Sequence, residues 1–241
     1  MVNGLFKREK GCFNPSSGCG YEKSAWRANL GLIGVDEVGR GCLAGPLVAA
    51  AVELPQWATR SPKVPILRDS KQMTERQRLV SCRWIMDHCR YGIGIIHPRS
   101  VDRFNVWGAT LLAMKRAIFS LLATRPAGVL PETIVVDAMP VDLFGSAYAS
   151  ISICSFPRAE QVSISVAAAS ILAKVQRDQL MAQLDAYFPV YGLAGHKGYA
   201  TRIHRGALLG NGHSLIHRLS FLSRQQRERE VADSGRQSSI C

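Results

Sequence analysis

Short apolar runs alternate with longer segments of helical periodicity along the middle of the chain. The short runs are rich in β-branched residues and end at Gly, Pro or charged positions, which is typical of strands. They predict five strands, at residues 32–38, 47–54, 91–97, 133–139 and 150–154. Apolar residues at helical spacing predict three helices, at residues 74–88, 101–123 and 165–187. Because only a short Gly-rich and Pro-containing turn separates the first two strands, we expect them to pair as neighbours.

Polar segments at both ends enclose this mixed α/β body. Residues 1–28 show no clear periodicity and predict a polar N-terminal extension that is partly disordered. Residues 224–241 predict a tail that is helix-prone at its start and then flexible. Residues 29–223 are expected to form one domain with a sizeable core.

Positive charge is a property of the predicted body. The extension carries +3 and the tail +1 of the total formal charge of +12, which leaves +8 for residues 29–223. Because Lys and Arg displace counterions from phosphate backbones, this balance favours a nucleic-acid partner, although a basic surface also serves solubility.

The remaining composition limits the class of protein. The seven cysteines are odd in number and include no Cys-x-x-Cys pair, which argues against a disulfide framework and a four-ligand zinc site. The first residues lack the apolar core of a signal peptide, and the most apolar stretch is too short to cross a bilayer. We therefore expect a cytoplasmic protein with no membrane association.

Carboxylates follow two of the apolar strands. Asp36 and Glu37 come directly after Leu-Ile-Gly-Val, and Asp137 comes after Thr-Ile-Val-Val. A charge at the end of a buried strand is costly unless it is paired or binds a metal. Carboxylates from several strands suit Mg²⁺, and a pair of such ions is typical of phosphodiester hydrolysis. The pattern favours a divalent-metal site, and the alternative is that each acid caps a turn or pairs with an arginine.

The segment Gly-Arg-Gly-Cys-Leu-Ala at 39–44 also fits the dinucleotide-binding pattern G-x-G-x-x-A. That pattern requires a helix directly afterwards, whereas the next residues here predict a strand ended by Pro55. The two carboxylates upstream would repel a pyrophosphate. A dinucleotide-binding oxidoreductase is thus a disfavoured alternative.

Several motifs stand in the order found in one known family. They are DEVGRGCLAGPLVAAAV, LRDSK, VVDAMP, AAASILAKVQRD, HKGY and IHRLSF. Over roughly residues 30–223 the chain resembles a bacterial ribonuclease HII. The resemblance implies an RNase H-like fold, in which helices flank a mixed central β-sheet and the C-terminal part is helical. It implies cleavage of RNA in RNA/DNA hybrids and nicking of duplex DNA 5′ to embedded ribonucleotides, with 3′-hydroxyl and 5′-phosphate products. It also implies a requirement for Mg²⁺ or Mn²⁺, with two ions when substrate is bound.

By match of motif, Asp36, Glu37 and Asp137 resemble three of the four metal-binding acids of that family. The fourth departs from the pattern, because Arg158-Ala159-Glu160 stands where the family usually has Lys-Gly-Asp. The sister family, ribonuclease HIII, uses Glu at this position. Glu160 is therefore expected to complete the set, and the choice between Mg²⁺ and Mn²⁺ stays open. A domain that binds hybrids without cutting them is the alternative that this substitution leaves.

The resemblance also implies a substrate-binding set. Gly39, Arg40 and Gly41 resemble a loop whose backbone reads the ribose 2′-hydroxyl, and Tyr199 resembles a tyrosine that stacks on the neighbouring sugar. The remaining expected phosphate or backbone contacts are Ser70, Lys71, His196 and Lys197. For Lys71 the alternative is a solvated lysine before a helix. The chain is expected to be a monomer, and the sequence offers no support for a sliding-clamp contact.

Other polar and aromatic residues receive structural interpretations. Asp69 is expected to cap the helix that follows or to turn the loop, and Asp178 is expected to pair with Lys174. Trp84 and Trp107 fall on apolar helix faces and are predicted to lie in the core.

Overall fold

The computed structural model describes residues 20–60, 64–126, 128–131 and 133–223. Its strands are β1 (Leu32–Val38), β2 (Leu47–Glu53), β3 (Arg90–Ile96), β4 (Thr133–Asp137) and β5 (Ser152–Phe156). Its helices are α1 (Gly20–Arg27), α2 (Glu75–His88), α3 (Pro98–Leu122), α4 (Ile164–Tyr187), α5 (Leu193–His196) and α6 (Arg202–Asn211). All five predicted strands and all three predicted helices are present, with boundaries that differ by up to three residues.

The strands form one mixed sheet in the order β3-β2-β1-β4-β5. β1 pairs antiparallel with β2, as the short turn between them predicts, and β2 pairs antiparallel with β3. β1 and β4 are parallel, and so are β4 and β5. Because β1, β4 and β5 run in the same direction, their carboxyl ends come together at one edge of the sheet.

Helices cover both faces of the sheet. On one face α3 packs against Ile33 and Leu47 through Met114 and Ile118. On the other face α4 packs against β2, and its small side chains allow a close approach to β1. A Cβ atom at Gly34 would lie 2.2 Å from the α4 backbone, so only glycine fits at that position. The predicted central sheet flanked by helices is confirmed.

The C-terminal part is helical, as expected. α5, α6 and the end of α4 enclose a separate small core that includes Leu43, Met181, Tyr191 and Leu208. Residues 216–218 return to the turn between β1 and β2, where Gly45 N–H donates to the carbonyl of Ile216 at 2.8 Å. The C-terminal segment is thereby attached next to the end of β1.

Helix α1 has no counterpart in the predicted elements. It lies within the predicted polar extension, and its Glu22 and Ala25 are buried. Glu22 accepts hydrogen bonds from the hydroxyl of Ser163 and from Ser165 N–H at 3.0 Å, at the first turn of α4. A buried acid on a short polar helix leaves little apolar periodicity to detect. Residues 1–19 and 224–241 lie outside the described residues, so the predictions for them stay predictions.

The prediction that Trp107 lies in the core is wrong, since its side chain is 48% exposed. The predicted helix was continuous, but α3 is interrupted at Asn105, which has φ 57° and ψ 171°. The Asn105 side chain accepts the Gly108 N–H at 3.0 Å and restarts the helix with a new rotational phase. Trp84, in contrast, is partly buried and stacks on His88.

None of the described helices combines the length and apolarity needed to span a bilayer.

Candidate active site

Two acids lie at the same level of adjacent parallel strands. The register pairs Val35 of β1 with Val136 of β4, so Asp36 and Asp137 follow at equivalent positions. Side chains alternate along a strand, and equivalent positions of parallel neighbours point to the same face. Both carboxylates are therefore presented on the α4 side of the sheet.

Asp36 is held by short-range contacts. Its Oδ1 accepts the N–H of Glu37 at 2.7 Å, and its carboxylate also interacts with the hydroxyl of Ser170 on α4. Burial raises the pKa of Asp36 well above its ordinary value, and the negative charges of Glu37 and Asp137 raise it further. The site therefore disfavours an ionised Asp36 in the absence of a compensating positive charge.

Glu37 is only partly neutralised by its neighbours. Its Oε1 lies 3.3 Å from the Nη1 of Arg40. Its Oε2 is buried and has no hydrogen-bond partner among the described residues. Burial raises the pKa of Glu37, Arg40 lowers it, and Asp137 raises it again. An orphaned, buried carboxylate oxygen beside two other acids fits a site for a cation.

Glu160 joins this group through the turn after β5. Asp137 accepts the N–H of Ala159 at 3.0 Å, which places the next residue beside the strand end. Burial raises the pKa of Glu160, Asp137 and Asp69 raise it further, and Lys71 lowers it. The structure thus brings together the four acids that the sequence singled out.

Together these acids form an electronegative site at one edge of the sheet. In the part of the chain that the structure describes, no three His, Cys, Asp or Glu side chains lie in an arrangement that could hold a metal ion as they stand. The charge of Asp137 raises the pKa of Asp36, Glu37 and Glu160, and the Oε2 of Glu37 has no hydrogen-bond partner among the described residues. An all-oxygen donor set of this kind fits Mg²⁺ or Mn²⁺ and does not fit soft metals.

The loop after β1 has one inward and one outward glycine. Gly39 has φ +89°, and a Cβ on it would lie 2.2 Å from the Nε of Arg177, so this glycine is required by internal packing. Gly41 is exposed, and a Cβ on it would meet no atom within 4 Å. The expected close approach of backbone to substrate is therefore available at Gly41, next to the half-exposed side chain of Arg40.

Tyr199 lies close to the end of this loop. Its side chain is 40% exposed. The cations of Lys174 and Arg177 each lie 5.8 Å from the ring centroid. The hydroxyl interacts with the thiol of Cys42, which directly follows the glycine loop. A ring that is held at one end and open at the other can stack on a ligand.

Ser70 is buried against Ser170, and its expected role as a phosphate contact stays a prediction. Ser70 is only 5% exposed, and its hydroxyl is 2.9 Å from that of Ser170. Because Ser170 also interacts with Asp36, Ser70 belongs to the support of the carboxylate. Lys71 is exposed near Glu160, and Asp69 caps the following turn by accepting the Lys71 N–H at 3.0 Å.

His196 and Lys197 are engaged within their own loop. The Nε2 of His196 is 2.7 Å from the carbonyl of Tyr191, and its Nδ1 accepts the Gly198 N–H at 3.2 Å. The Lys197 ammonium donates to the carbonyl of Ala194 at 2.6 Å. These contacts shape the loop that carries Tyr199, and the predicted contacts with a nucleic-acid backbone stay predictions.

Three residues near the site were not singled out by sequence reasoning. Ser170 touches the carboxylate of Asp36, while Arg177 and Arg218 are fully buried beneath the glycine loop. Ser170 and Arg177 are seven residues apart on α4, so helical periodicity places them on one face. The sequence offered one signal for Arg177, which is an arginine on the apolar face of an alanine-rich helix.

The dinucleotide alternative lacks its structural context. The residues after Gly39–Ala44 lead into β2 rather than into a helix, so the motif is not followed by the helix N-terminus that would bind a pyrophosphate. The ion pair of Lys174 with Asp178 is confirmed at 2.8 Å.

Comparisons with known proteins agree with this site. The family model described as Ribonuclease HII matches residues 33–224. A ribonuclease HII from Acetivibrio thermocellus is 41% identical over 205 residues, which cover 84% of this chain and 74% of that protein. One from Thermus thermophilus is 40% identical over 202 residues, covering 83% and 90%. The chain belongs to the ribonuclease HII family, whose members are metal-dependent ribonucleases H. The expected family and enzyme class are confirmed.

Solved structures show the same fold. Ribonuclease H2 from Pyrococcus horikoshii superposes with a TM-score of 0.68 at 24% identity, covering 84% of this chain and 98% of that one. Bst-RNase HIII, solved in complex with Mn²⁺, gives 0.63 at 24% identity, covering 86% and 71%. An RNase HII from Archaeoglobus fulgidus, solved in complex with PCNA, gives 0.64 at 25% identity, covering 81% and 97%. The predicted RNase H-like fold is confirmed.

Proposed function

We propose that this chain is an endonuclease that cleaves RNA in RNA/DNA hybrids and nicks duplex DNA 5′ to an embedded ribonucleotide. The observation that carries the proposal is the placement of Asp36 and Asp137 at equivalent ends of parallel strands, with Glu37 and Glu160 beside them. The net charge of +12 supports a nucleic-acid substrate.

Asp36, Glu37, Asp137 and Glu160 are the residues that would hold divalent ions, Mg²⁺ or Mn²⁺. Two such ions, if bound there, would supply an activated water and would stabilise the leaving oxygen of a phosphodiester. The unpartnered Oε2 of Glu37 and the raised pKa of Asp36 support this assignment, because both are relieved by a nearby cation.

Ser170 keeps the Asp36 carboxylate in place. It interacts with Asp36 and is itself fixed by the hydroxyl of Ser70 at 2.9 Å. Two buried hydroxyls in series restrict the rotation of the carboxylate, so the protein maintains the ligand geometry before substrate arrives.

The glycine loop and Tyr199 would read the substrate. The exposed Gly41 leaves its backbone open to a ribose 2′-hydroxyl, which is the group that distinguishes RNA from DNA. The open part of the Tyr199 ring would stack on the sugar that follows. Arg40, half-exposed beside Glu37, would contact a phosphate.

The test is a duplex DNA that carries one ribonucleotide, incubated with Mg²⁺ or Mn²⁺. A single nick 5′ to the ribonucleotide, with a 3′-hydroxyl and a 5′-phosphate, is expected. An all-DNA duplex of the same sequence is the control and stays intact. Folded protein that leaves the ribonucleotide duplex intact with both metals would refute the proposal.

The substitution at Glu160 supports a second candidate, a domain that binds hybrids without cutting them. Glu160 carries one more methylene than the usual Asp, and its carboxylate is only partly buried. The comparison of Glu160→Asp with wild type separates the two candidates. Equal or lower nicking by Glu160→Asp supports the enzyme, whereas activity that appears only in this variant supports the binding domain.

A further inference from the structure

Two arginines lie completely inside the protein beneath the glycine loop. The side chains of Arg177 and Arg218 are 0% exposed. Among the described residues, neither forms an ion pair with a carboxylate within 4.0 Å. Burying a guanidinium is costly unless its donors are satisfied, so their contacts indicate what they stabilise.

Arg177 donates to two separate pieces of backbone. Its Nε donates to the carbonyl of Pro46 at 2.9 Å and its Nη2 to that of Ala44 at 3.2 Å. Its Nη1 donates to the carbonyl of Lys197 at 2.9 Å, in the loop that carries Tyr199. The same side chain fills the space that a Cβ on Gly39 would occupy. Arg177 therefore touches both substrate-facing loops.

Arg218 holds the glycine loop from the C-terminal segment. Its Nη1 donates to the carbonyl of Arg40 at 2.9 Å. Its Nη2 and Nε donate to the carbonyl of Gly45 at 2.9 and 3.2 Å. One guanidinium thus joins the middle of the Gly39–Gly41 loop to the segment that follows it.

Residues 43–46, here called the linking segment, lie between these pieces. Leu43 N–H donates to the carbonyl of Gly198 at 2.9 Å, and Arg218 N–H donates to the carbonyl of Leu43 at 2.8 Å. The linking segment starts two residues after Gly41 and is bonded to the Tyr199 loop on one side. The linking segment therefore connects the glycine loop to the loop that carries Tyr199.

We propose that Arg177 and Arg218 are positioning residues that fix the Gly39–Gly41 loop relative to Tyr199 and thereby set the selectivity for a single ribonucleotide in DNA. The inference rests on the proposed function, because it concerns how that site recognises its substrate. A lone ribonucleotide offers one productive register, in which the loop and Tyr199 must be engaged together. A continuous RNA strand offers many registers, so it tolerates a looser arrangement.

Only a guanidinium can make these contacts. Arginine presents donors in a planar fork, which here reach two or three carbonyls at once, whereas lysine is a single flexible point charge. A change from Arg to Lys therefore keeps the charge that attracts nucleic acid and removes the connection between loops. The Arg-to-Lys changes therefore test the positioning of the loops separately from the electrostatic attraction of nucleic acid.

The experiment compares Arg177→Lys and Arg218→Lys with wild type and with Arg116→Lys. Arg116 is a matched control, because it also donates to a backbone carbonyl, that of Ile95 at 3.0 Å, but it is exposed on α3. For each full-length protein, kcat and KM are measured on a duplex with one ribonucleotide and on an RNA/DNA hybrid of the same sequence. Circular dichroism and thermal unfolding establish that each variant is folded.

The expected result is a fall of at least tenfold in the ratio of kcat/KM for the single ribonucleotide to that for the hybrid, with the loss mainly in kcat. Arg116→Lys should leave this ratio within twofold of wild type. Adding Tyr199→Ala should remove most of the effect of either lysine change, because the partner being positioned is then absent. Independent, multiplicative effects of the lysine and Tyr199 changes would overturn the inference.

A milder variant leaves both arginines unmutated and changes only a contact that holds one of them. Asp102 accepts hydrogen bonds from the N–H groups of Leu219 and Ser220, both at 2.9 Å, and so holds the segment that carries Arg218. Asp102→Ala should lower the same ratio, by less than the lysine changes. Unchanged selectivity in every folded variant, with wild type active, would overturn the inference. Absence of nicking by wild type would instead refute the proposed function.

Discussion

The carboxylate of Asp137 accepts the N–H of Ala159 at 3.0 Å, although the two residues are far apart in the chain. This single hydrogen bond joins the end of β4 to the turn after β5. It brings Glu160 beside the acids of β1 and β4, where Asp137 raises its pKa. The fourth acid therefore reaches the site through backbone geometry rather than through its position on a strand.

We predict that Asp36→Asn abolishes cleavage while the fold is kept or becomes more stable. The pKa of Asp36 is raised by burial and by Glu37 and Asp137, so ionisation of this carboxyl group is less favourable in the folded state than in the unfolded chain. Asparagine has nearly the same shape but no charge, so it removes that repulsion together with one of the carboxylates that would bind a metal ion. Cleavage should fall at least about a thousandfold, equal to about 4 kcal/mol of barrier. Nicking rate and thermal midpoint are the measurements.

The matched control for this change is Asp142→Asn, an exposed acid paired with Lys115 beyond β4. It should leave the nicking rate unchanged. An Asp36→Asn protein that loses its fold, or one that still cuts near the wild-type rate, would contradict the assignment of Asp36.

We predict that Mn²⁺ or Mg²⁺ stabilises the protein against thermal unfolding in the absence of substrate. A cation offsets the repulsion among Asp36, Glu37 and Asp137 and binds the folded state alone. At ten times the dissociation constant the gain should be about 1.4 kcal/mol. Differential scanning calorimetry across a metal series measures it. Asp36→Asn should show a smaller response, and an identical response in both proteins would contradict a shared site.

We predict that stability falls between about pH 6.5 and pH 3 through the pair His204 and His217. The Nδ1 of His217 accepts the Ser214 N–H at 3.0 Å, so its proton lies on Nε2, which donates to Nε2 of His204 at 3.1 Å. Burial, followed by the charge of His204, lowers the pKa of His217 to about 3, and burial lowers that of His204. Below about pH 6.5 the unfolded chain takes up protons that the folded pair rejects. For His217 this lowers stability by up to about 1.4 kcal/mol per pH unit, down to its folded-state pKa of about 3.

The raised pKa values of Asp36, Glu37 and Glu160 act in the opposite direction, so the comparison must be between variants. Urea midpoints from pH 7.5 to 5 should decline less steeply for His217→Gln than for wild type. His88→Gln, a change at an exposed histidine, should keep the wild-type slope. A wild-type slope in His217→Gln would refute the prediction.

We predict that Glu22→Ala destabilises the domain by about 2–4 kcal/mol, because it leaves buried donors at the start of α4 without an acceptor. Glu22 accepts from the hydroxyl of Ser163 and the N–H of Ser165. Lys23→Ala, at the adjacent exposed residue, should change stability by less than about 0.5 kcal/mol. Urea unfolding measures both, and equal midpoints would show that α1 does not stabilise α4.

The local pattern of polar and apolar residues was sufficient to predict most of the secondary structure and one strand pairing. Alternating and helical periodicities identified the five strands and three long helices, and the short turn predicted the pairing of β1 with β2. The carboxylates after two apolar runs indicated the site, because a charge in that position needs a partner wherever the strand lies. These inferences depend only on residues close together in the chain.

The sequence by itself singled out the acids that are proposed to carry chemistry, and it determined which faces of the strands and helices are apolar. Only the tertiary structure decided that Ser70 contacts Ser170, that Gly39 makes room for Arg177, and that Trp107 is exposed. Periodicity specifies the direction of a side chain relative to its own element. What that side chain meets depends on which distant segment packs there, and that is settled when the whole chain folds.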